Sequence, residues 1–408
     1  MSLRELAGVG NYKKLVTARF ISNVGNGMSP IAMSFGVLEL KGATEFSLSI
    51  VMFSVWVPMV ILMLFGGVIA DRVNRTLLVG GMDIFAAGVT FLQAALFLTD
   101  TANIPLLCVT NAAFGVGVAM WWPAFGGLMP EIVEEEHLQS ANSVMGFLAN
   151  SGMILGAFIG GVLVAATGPG WALAVDGASF VLAGVLVLMI RLAPRTARED
   201  KESSMLDDIV HGWREVRSRH WVIAVVLAFA FFNMAFEAVI TVLGPLQFKT
   251  VYGGAKDWGI AMGAQGLGML LGVTAAMRLR PKEPMFAAMI AILAPAALMV
   301  VFAVHPPLPV VVVAAFVAGF GLDVFFILWV TTVQSHVPKD LLSRVFSYDA
   351  LGSNILVPLG LIVAGPFAAH TSPSFALFTG SAIAMVAILA TFAVQDVRHI
   401  PPIRADAA

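Results

Sequence analysis

From Phe46 to Ala70 the chain runs 25 residues without a charge, then sets Asp71, Arg72 and Arg75 within five positions before a second apolar segment begins. A run of that length crosses the roughly 30 Å hydrocarbon layer of a bilayer as a helix rising about 1.5 Å per residue. Two such helices joined by so short a polar turn must be antiparallel neighbours. The turn itself, from Gly67 through Asp71 and Arg72 to Arg75, has the glycine and fixed charges of a packed junction. The rest of the chain agrees: 59% of its 408 residues are hydrophobic and 12% charged, against about a quarter charged in soluble domains.

Twelve spans are predicted on this basis, near 15–38, 46–70, 77–99, 104–127, 139–166, 170–192, 221–246, 257–278, 285–304, 308–333, 345–368 and 374–395. The fold class is therefore an all-α membrane protein, and the first span is read as a retained helix rather than a cleaved leader. With both termini placed in the cytoplasm, Lys41, Lys249 and Lys256 are the bases left outside and the other 20 of 23 fall inside. That is the asymmetry of a multi-pass protein in the cell inner (plasma) membrane. The spans divide as 1–192, a six-helix bundle; 193–220, a cytoplasmic linker; 221–396, a second six-helix bundle; and 397–408, a cytoplasmic tail. Within the linker, Leu206, Ile209, Val210, Trp213 and Val216 recur at helical spacing, as in an amphipathic surface helix or a solvated linker helix.

The halves overlay. At an offset of 204, Gly115, Gly117, Leu138, Ser143, Asn150, Gly156 and Gly161 fall on identical residues; at 205, Gly67 falls on Gly272 and Arg75 on Arg280. A duplicated six-helix unit with its axis along the membrane normal suits a rocking transporter.

Gly67-x-x-x-Asp71-Arg72-x-x-Arg75, in the loop after helix two, resembles the signature loop of the major facilitator superfamily. It departs from that pattern at Asn74, where glycine is usual, and at Thr76, where a base is usual; asparagine is expected to serve at a positive φ. Gly152, Gly156, Gly160 and Gly161 resemble the helix-five glycines of drug/proton antiporters, with Ala157 in place of the proline. These glycines permit close helix packing. The texture of the chain is similar to the bacterial branch of enterobactin exporters and macrolide efflux proteins. The resemblance implies two pseudo-symmetric six-helix bundles, a cavity lined by helices one, four, seven and ten, and a latch in which Asp71 holds Arg75 and faces helix eleven.

Those four helices supply Asn23 and Asn26, three apart on one face; Asn233 and Glu237, four apart; Asp323; and Trp121 beside Trp122. A carboxylate at bilayer depth must face protein or water, so Glu237 and Asp323 are candidate proton-coupling or substrate-cation sites. Arg19 is expected to snorkel at the cytoplasmic end of helix one, and Asp83 to pair with bases of the 72–75 loop. No base is expected deep in the cavity helices. Asp176 and Asp349 read as scaffold.

The expected activity is proton-coupled efflux of a small amphipathic compound, drug or siderophore, by alternating access, with no cofactor and no metal. A nutrient or metabolite importer of the same fold is the alternative, and an intramembrane enzyme or receptor a distant one. The seven histidines are scattered, Cys108 is solitary, and a net charge of -2 gives no reason to invoke nucleic acid. The partners are a small-molecule substrate, protons and the lipid bilayer, and the transporter is expected to act as a monomer.

Overall fold

In the computed structural model, the structure describes residues 10–134, 137–192, 217–276, 278–279, 281–337 and 342–400, without the side chains of 63–72, 139–140, 143, 343–344 and 347. The amphipathic segment at 206–216, the tail beyond 400 and the side chains of Gly67, Asp71 and Arg72 lie outside the described residues.

Long helices alternate in direction along the chain. They are α1 (Gly10–Glu39), α2 (Glu45–Arg72), α3 (Arg75–Leu98), α4 (Ile104–Gly126), α5 (Leu138–Thr167) and α6 (Pro169–Leu188) in the first half. The second half holds α7 (His220–Val251), α8 (Ala255–Ala276), α9 (Pro284–Val304), α10 (Leu308–His336), α11 (Leu342–Asn354, resuming at Val357–His370) and α12 (Pro373–Thr391). Eleven helices among the described residues are long and apolar enough to cross a membrane. The remaining one, α1, is thirty residues long, about 45 Å, but too polar to be counted with them. Its Arg19, Asn23 and Asn26 line a cleft inside the first bundle, and Ser22 is buried.

The helix ends follow from local chemistry. Gly168 takes φ +86° and Pro169 opens α6, so one residue separates α5 from α6. Asn74 corrects an expectation: it sits at φ −60° as the cap of α3, its side chain accepting from Thr76 N and Leu77 N. Asparagine here satisfies the orphan amides of a helix start, so no left-handed residue is needed.

Neighbour relations repeat between the halves. In the first, α1 packs on α5 and α6, α2 on α4, and α3 on α4 and α6; in the second, α7 packs on α11 and α12, α8 on α10, and α9 on α10 and α12. The glycines define the register. A Cβ on Gly156 would stand 2.0 Å from Val24 O, and one on Gly360 2.3 Å from Met234 O. Likewise Gly115 rests on Val55 O and Gly319 on Gln265 O. Where α4, α5, α10 and α11 follow the offset of 204, α1 and α2 therefore map onto α7 and α8 at 210. The offset of 205 read from the 67–75 loop does not hold along α2, because α8 has 22 residues where α2 has 28.

The halves touch along two seams, α2 with α11 and α5 with α8. Near the end opposite the termini the contact is between main chains: Gly161 lies on Ala255 O and Gly259, and Gly365 on Glu45 O. Gly365 N donates to Ser49 Oγ at 2.7 Å, and Lys249 Nζ donates to Leu38 O. Pro245 supplies a further link. It lacks an N–H and crowds the carbonyl four residues earlier, so α7 widens into a π turn over Val239–Leu243. The Thr241 carbonyl, which receives no N–H from Pro245, accepts from Ser34 Oγ of α1 at 3.1 Å. The structure is thus closed at this end.

Candidate functional site

A cleft of about 270 Å³ opens inside the first bundle, lined by α1, α3, α4, α5 and α6. Its polar wall comprises Arg19, Asn23, Asn26, Asp83 and Trp121. Three of these are predicted cavity residues, and the structure brings them together.

Arg19 is where the sequence reading fails. Its guanidinium does not snorkel; it turns into the cleft, 4.3 Å from the Trp121 ring centroid and 4.8 Å from that of Phe125, which itself stacks on Trp121 at 4.5 Å. Nη1 donates to Ser22 Oγ at 3.3 Å and Nη2 to Asn23 Oδ1 at 3.2 Å. Asn26 Nδ2 donates to the same Asn23 oxygen at 3.4 Å. A base therefore does lie deep in a cavity helix. Asp83 stands at the same wall. Only 4% exposed, it faces Arg19 and the Trp121 indole. Its attraction to Arg19 acts through space, without a contact short enough for an ion pair. Cation–π stacking on a desolvated tryptophan holds such a guanidinium in plane.

Trp121 and Trp122 point apart, as adjacent helical residues must. Trp121 is 8% exposed at the cleft wall, and Trp122, 54% exposed, stands at its mouth.

The second bundle presents different groups at the corresponding places. By the helix-packing register, Arg19 maps onto Phe229 and Trp121 onto Phe325. There the cation over an indole is replaced by two phenyl rings stacked at 4.2 Å. Asn23 maps onto Asn233, whose Nδ2 donates to Ser353 O at 3.0 Å and Asn354 Oδ1 at 3.4 Å, bridging the break in α11. Glu237 is partly buried near mid-depth of α7, and among the described residues no hydrogen bond or ion pair reaches its carboxylate. Asp323, 7% exposed on α10, packs beside Gly272 of α8, its Oδ2 without a hydrogen-bond partner. Glu237 and Asp323 both lie outside the cleft of the first bundle.

The remaining acids anchor helices. Asp349 accepts from Trp329 Nε1 at 2.9 Å and Ser353 Oγ at 3.0 Å. Asp176, fully buried, accepts from Ser179 Oγ at 3.3 Å and packs against Gly25. In the 67–75 loop, Arg75 Nη1 donates to Gly127 O at 2.7 Å and Glu131 Oε1 at 2.8 Å, tying the start of α3 to the end of α4. Gly152, Gly156 and Gly160 bring α5 onto the backbone of α1, whereas Gly161 meets α8 of the other half. No group of three or more histidine, cysteine or acidic residues that could hold a metal ion is present among the described residues.

Comparisons with known proteins align with this architecture. The model of the Major Facilitator Superfamily matches residues 15–360. The multidrug efflux pump Tap of Mycolicibacterium fortuitum is 26% identical over 366 residues, covering 87% of this chain and 88% of Tap. The enterobactin exporter EntS of Escherichia coli (strain K12) is 24% identical over 407 residues, covering 96% of this chain and 94% of EntS. The crystal structure of the nucleoside transporter NupG matches with a TM-score of 0.70 at 16% identity, covering 94% of this chain and 98% of NupG, a likeness of fold. With twelve helices in two pseudo-symmetric bundles and a family match over most of its length, the chain belongs to the major facilitator superfamily: it is a multi-pass membrane transporter and not an enzyme.

Proposed function

We propose that this transporter exports a small amphipathic compound, a drug or a siderophore, in exchange for protons entering the cell. It works as a monomer in the cytoplasmic membrane with both termini inside, the segment 193–220 linking its halves. Two efflux relatives that span most of the chain support the direction.

One observation carries the coupling. Glu237 sits near mid-depth, its carboxylate without a hydrogen bond or ion pair among the described residues, immediately before the π turn whose Thr241 carbonyl bonds to Ser34 in the opposite half. A bare carboxylate is costly in a low dielectric, and a proton removes that cost. Loading and unloading Glu237 therefore acts on the α7 segment that joins the halves, with Asp323 as a second proton or cation site. Asn23, Asn26 and Trp121 face the substrate, and Asn233 steadies α11 as the bundles rock. Asp71 and Arg72 form the cytoplasmic latch, with Gly67 at its turn and Arg75 as its fixed post.

The test uses inverted vesicles energised by an imposed proton gradient, with the amphipathic aromatic anion 2-naphthalenesulfonate as the transported probe. Glu237→Gln and Asp323→Asn should lose gradient-driven uptake while retaining exchange of labelled for unlabelled 2-naphthalenesulfonate. Full gradient-driven uptake in both variants would remove the coupling role. A metabolite importer of the same fold is the second reading, favoured by the cation of Arg19 in the cleft. Accumulation in right-side-out rather than inverted vesicles would select it.

A further inference from the structure

The wall shared by α1 and α4 carries more donors than the described residues use. A guanidinium has five N–H groups. Arg19 directs its two recorded hydrogen bonds to neutral oxygens, Ser22 Oγ and Asn23 Oδ1, and no carboxylate among the described residues lies within ion-pair distance of it. Trp121 adds a second donor: its buried Nε1–H lies near Asp83 without a hydrogen bond of good geometry. Buried donors are paired in the great majority of proteins, and an orphan beside a cleft marks a place for an outside acceptor. Asp83 lines the same cleft and faces these groups, but it lies beyond ion-pair distance and does not occupy the guanidinium fork. Trp121 and Phe125 beneath Arg19 fix its plane and reduce its hydration, conditions under which a planar fork binds a planar anion well.

The rest of the wall is aromatic. Phe114 and Phe180 meet edge to face at 5.9 Å, and Trp122 stands at the mouth. A cleft of about 270 Å³ is at the small end of ligand pockets and suits a group of one or two rings. The corresponding positions of the second bundle, Phe229 and Phe325, hold no charge.

We propose that this cleft binds the carboxylate or phenolate end of an aromatic substrate, with Arg19 and the Trp121 indole as donors, so that the first bundle alone reads the sign of the substrate's charge. Asp83 offsets the charge of Arg19 between transport cycles from a distance that leaves the fork free. This deepens the export reading above by naming the substrate class, and it rests on that reading.

The test is equilibrium binding to the purified transporter in nanodiscs without a proton gradient, using 2-naphthoate and its cationic counterpart 2-naphthylmethylammonium. The wild type should bind naphthoate about tenfold more tightly than the ammonium probe, the ratio given by one charge-assisted hydrogen bond. Arg19→Gln should erase that preference, Arg19→Lys should keep its sign with weaker binding, and Asp83→Asn should tighten naphthoate. Wild-type preference for the ammonium, binding of neither probe, or naphthoate affinity within about twofold in Arg19→Gln would overturn the proposal. If Arg19→Gln fails to fold, Arg19→Lys and Asp83→Asn, which move the affinity in opposite directions, decide alone. None of these outcomes bears on Glu237, so the coupling reading stands or falls separately in the vesicle assay.

Discussion

Gly365→Ala drives a methyl group into the main chain of the opposite half. The new Cβ would lie 2.1 Å from Glu45 O and 2.6 Å from Ser49 Oγ, so α11 and α2 must part by about 1 Å to restore van der Waals contact. Overpacking of this kind costs about 1–3 kcal/mol. Displacing Gly365 N from Ser49 Oγ adds about 1 kcal/mol. Both penalties fall on the state closed at the end opposite the termini and vanish once the seam opens. Even about 2 kcal/mol shifts the balance between the two states roughly 30-fold toward the open one. Gly156→Ala is the control, since its clash, 2.0 Å from Val24 O, lies within one half and is present in every state. Spin labels at Asp100 and Thr371, both exposed in loops at this end, would report the separation by double electron–electron resonance in a Cys108→Ser background. Gly365→Ala should convert the main population to longer distances, whereas Gly156→Ala should lower the melting temperature and leave the distances alone. Unchanged distances in Gly365→Ala, or an equal shift in Gly156→Ala, would refute the reasoning.

Two further perturbations test other links. Pro245→Ala returns an N–H to the Thr241 carbonyl; that N–H then shares the oxygen with Ser34 and weakens the link. Ser34→Ala should then cost about 1 kcal/mol in the parent and less in the Pro245→Ala background, a difference measurable by thermal melting as a double-mutant cycle. Asn233→Ala leaves the Ser353 carbonyl at the α11 break without its donor and should destabilise the protein by about 1–3 kcal/mol, whereas Asn233→Asp, which cannot donate, should do no better. Full stability of either variant in a melting assay would exclude the bridge.

Helix positions and the family were legible in the sequence because hydropathy and the order of loops are one-dimensional. The predicted break near 166–170 lies at Gly168-Pro169, and α5 packs on α1 through the glycines that the sequence singles out. The polar wall was legible in part. Asn23 and Asn26 stand out by spacing, but Arg19 gives no such signal. Its depth depends on Trp121, 102 positions later, which turns the guanidinium inward. Asp83 is obscured for the same reason. Asn74 shows another limit: asparagine suits both a left-handed turn and a helix cap, and the orphan amides of Thr76 and Leu77 decide between them. The π turn was written in Pro245, whose effect four residues upstream is the available signal.

The seams at the end opposite the termini consist largely of glycine against carbonyl oxygen and hydroxyl against main chain. Dissolved ions screen charges but barely touch short dipolar and dispersion contacts. This gate will therefore hold nearly as well in brine as in dilute medium, with the ammonium of Lys249 on Leu38 O the part of it that salinity reaches.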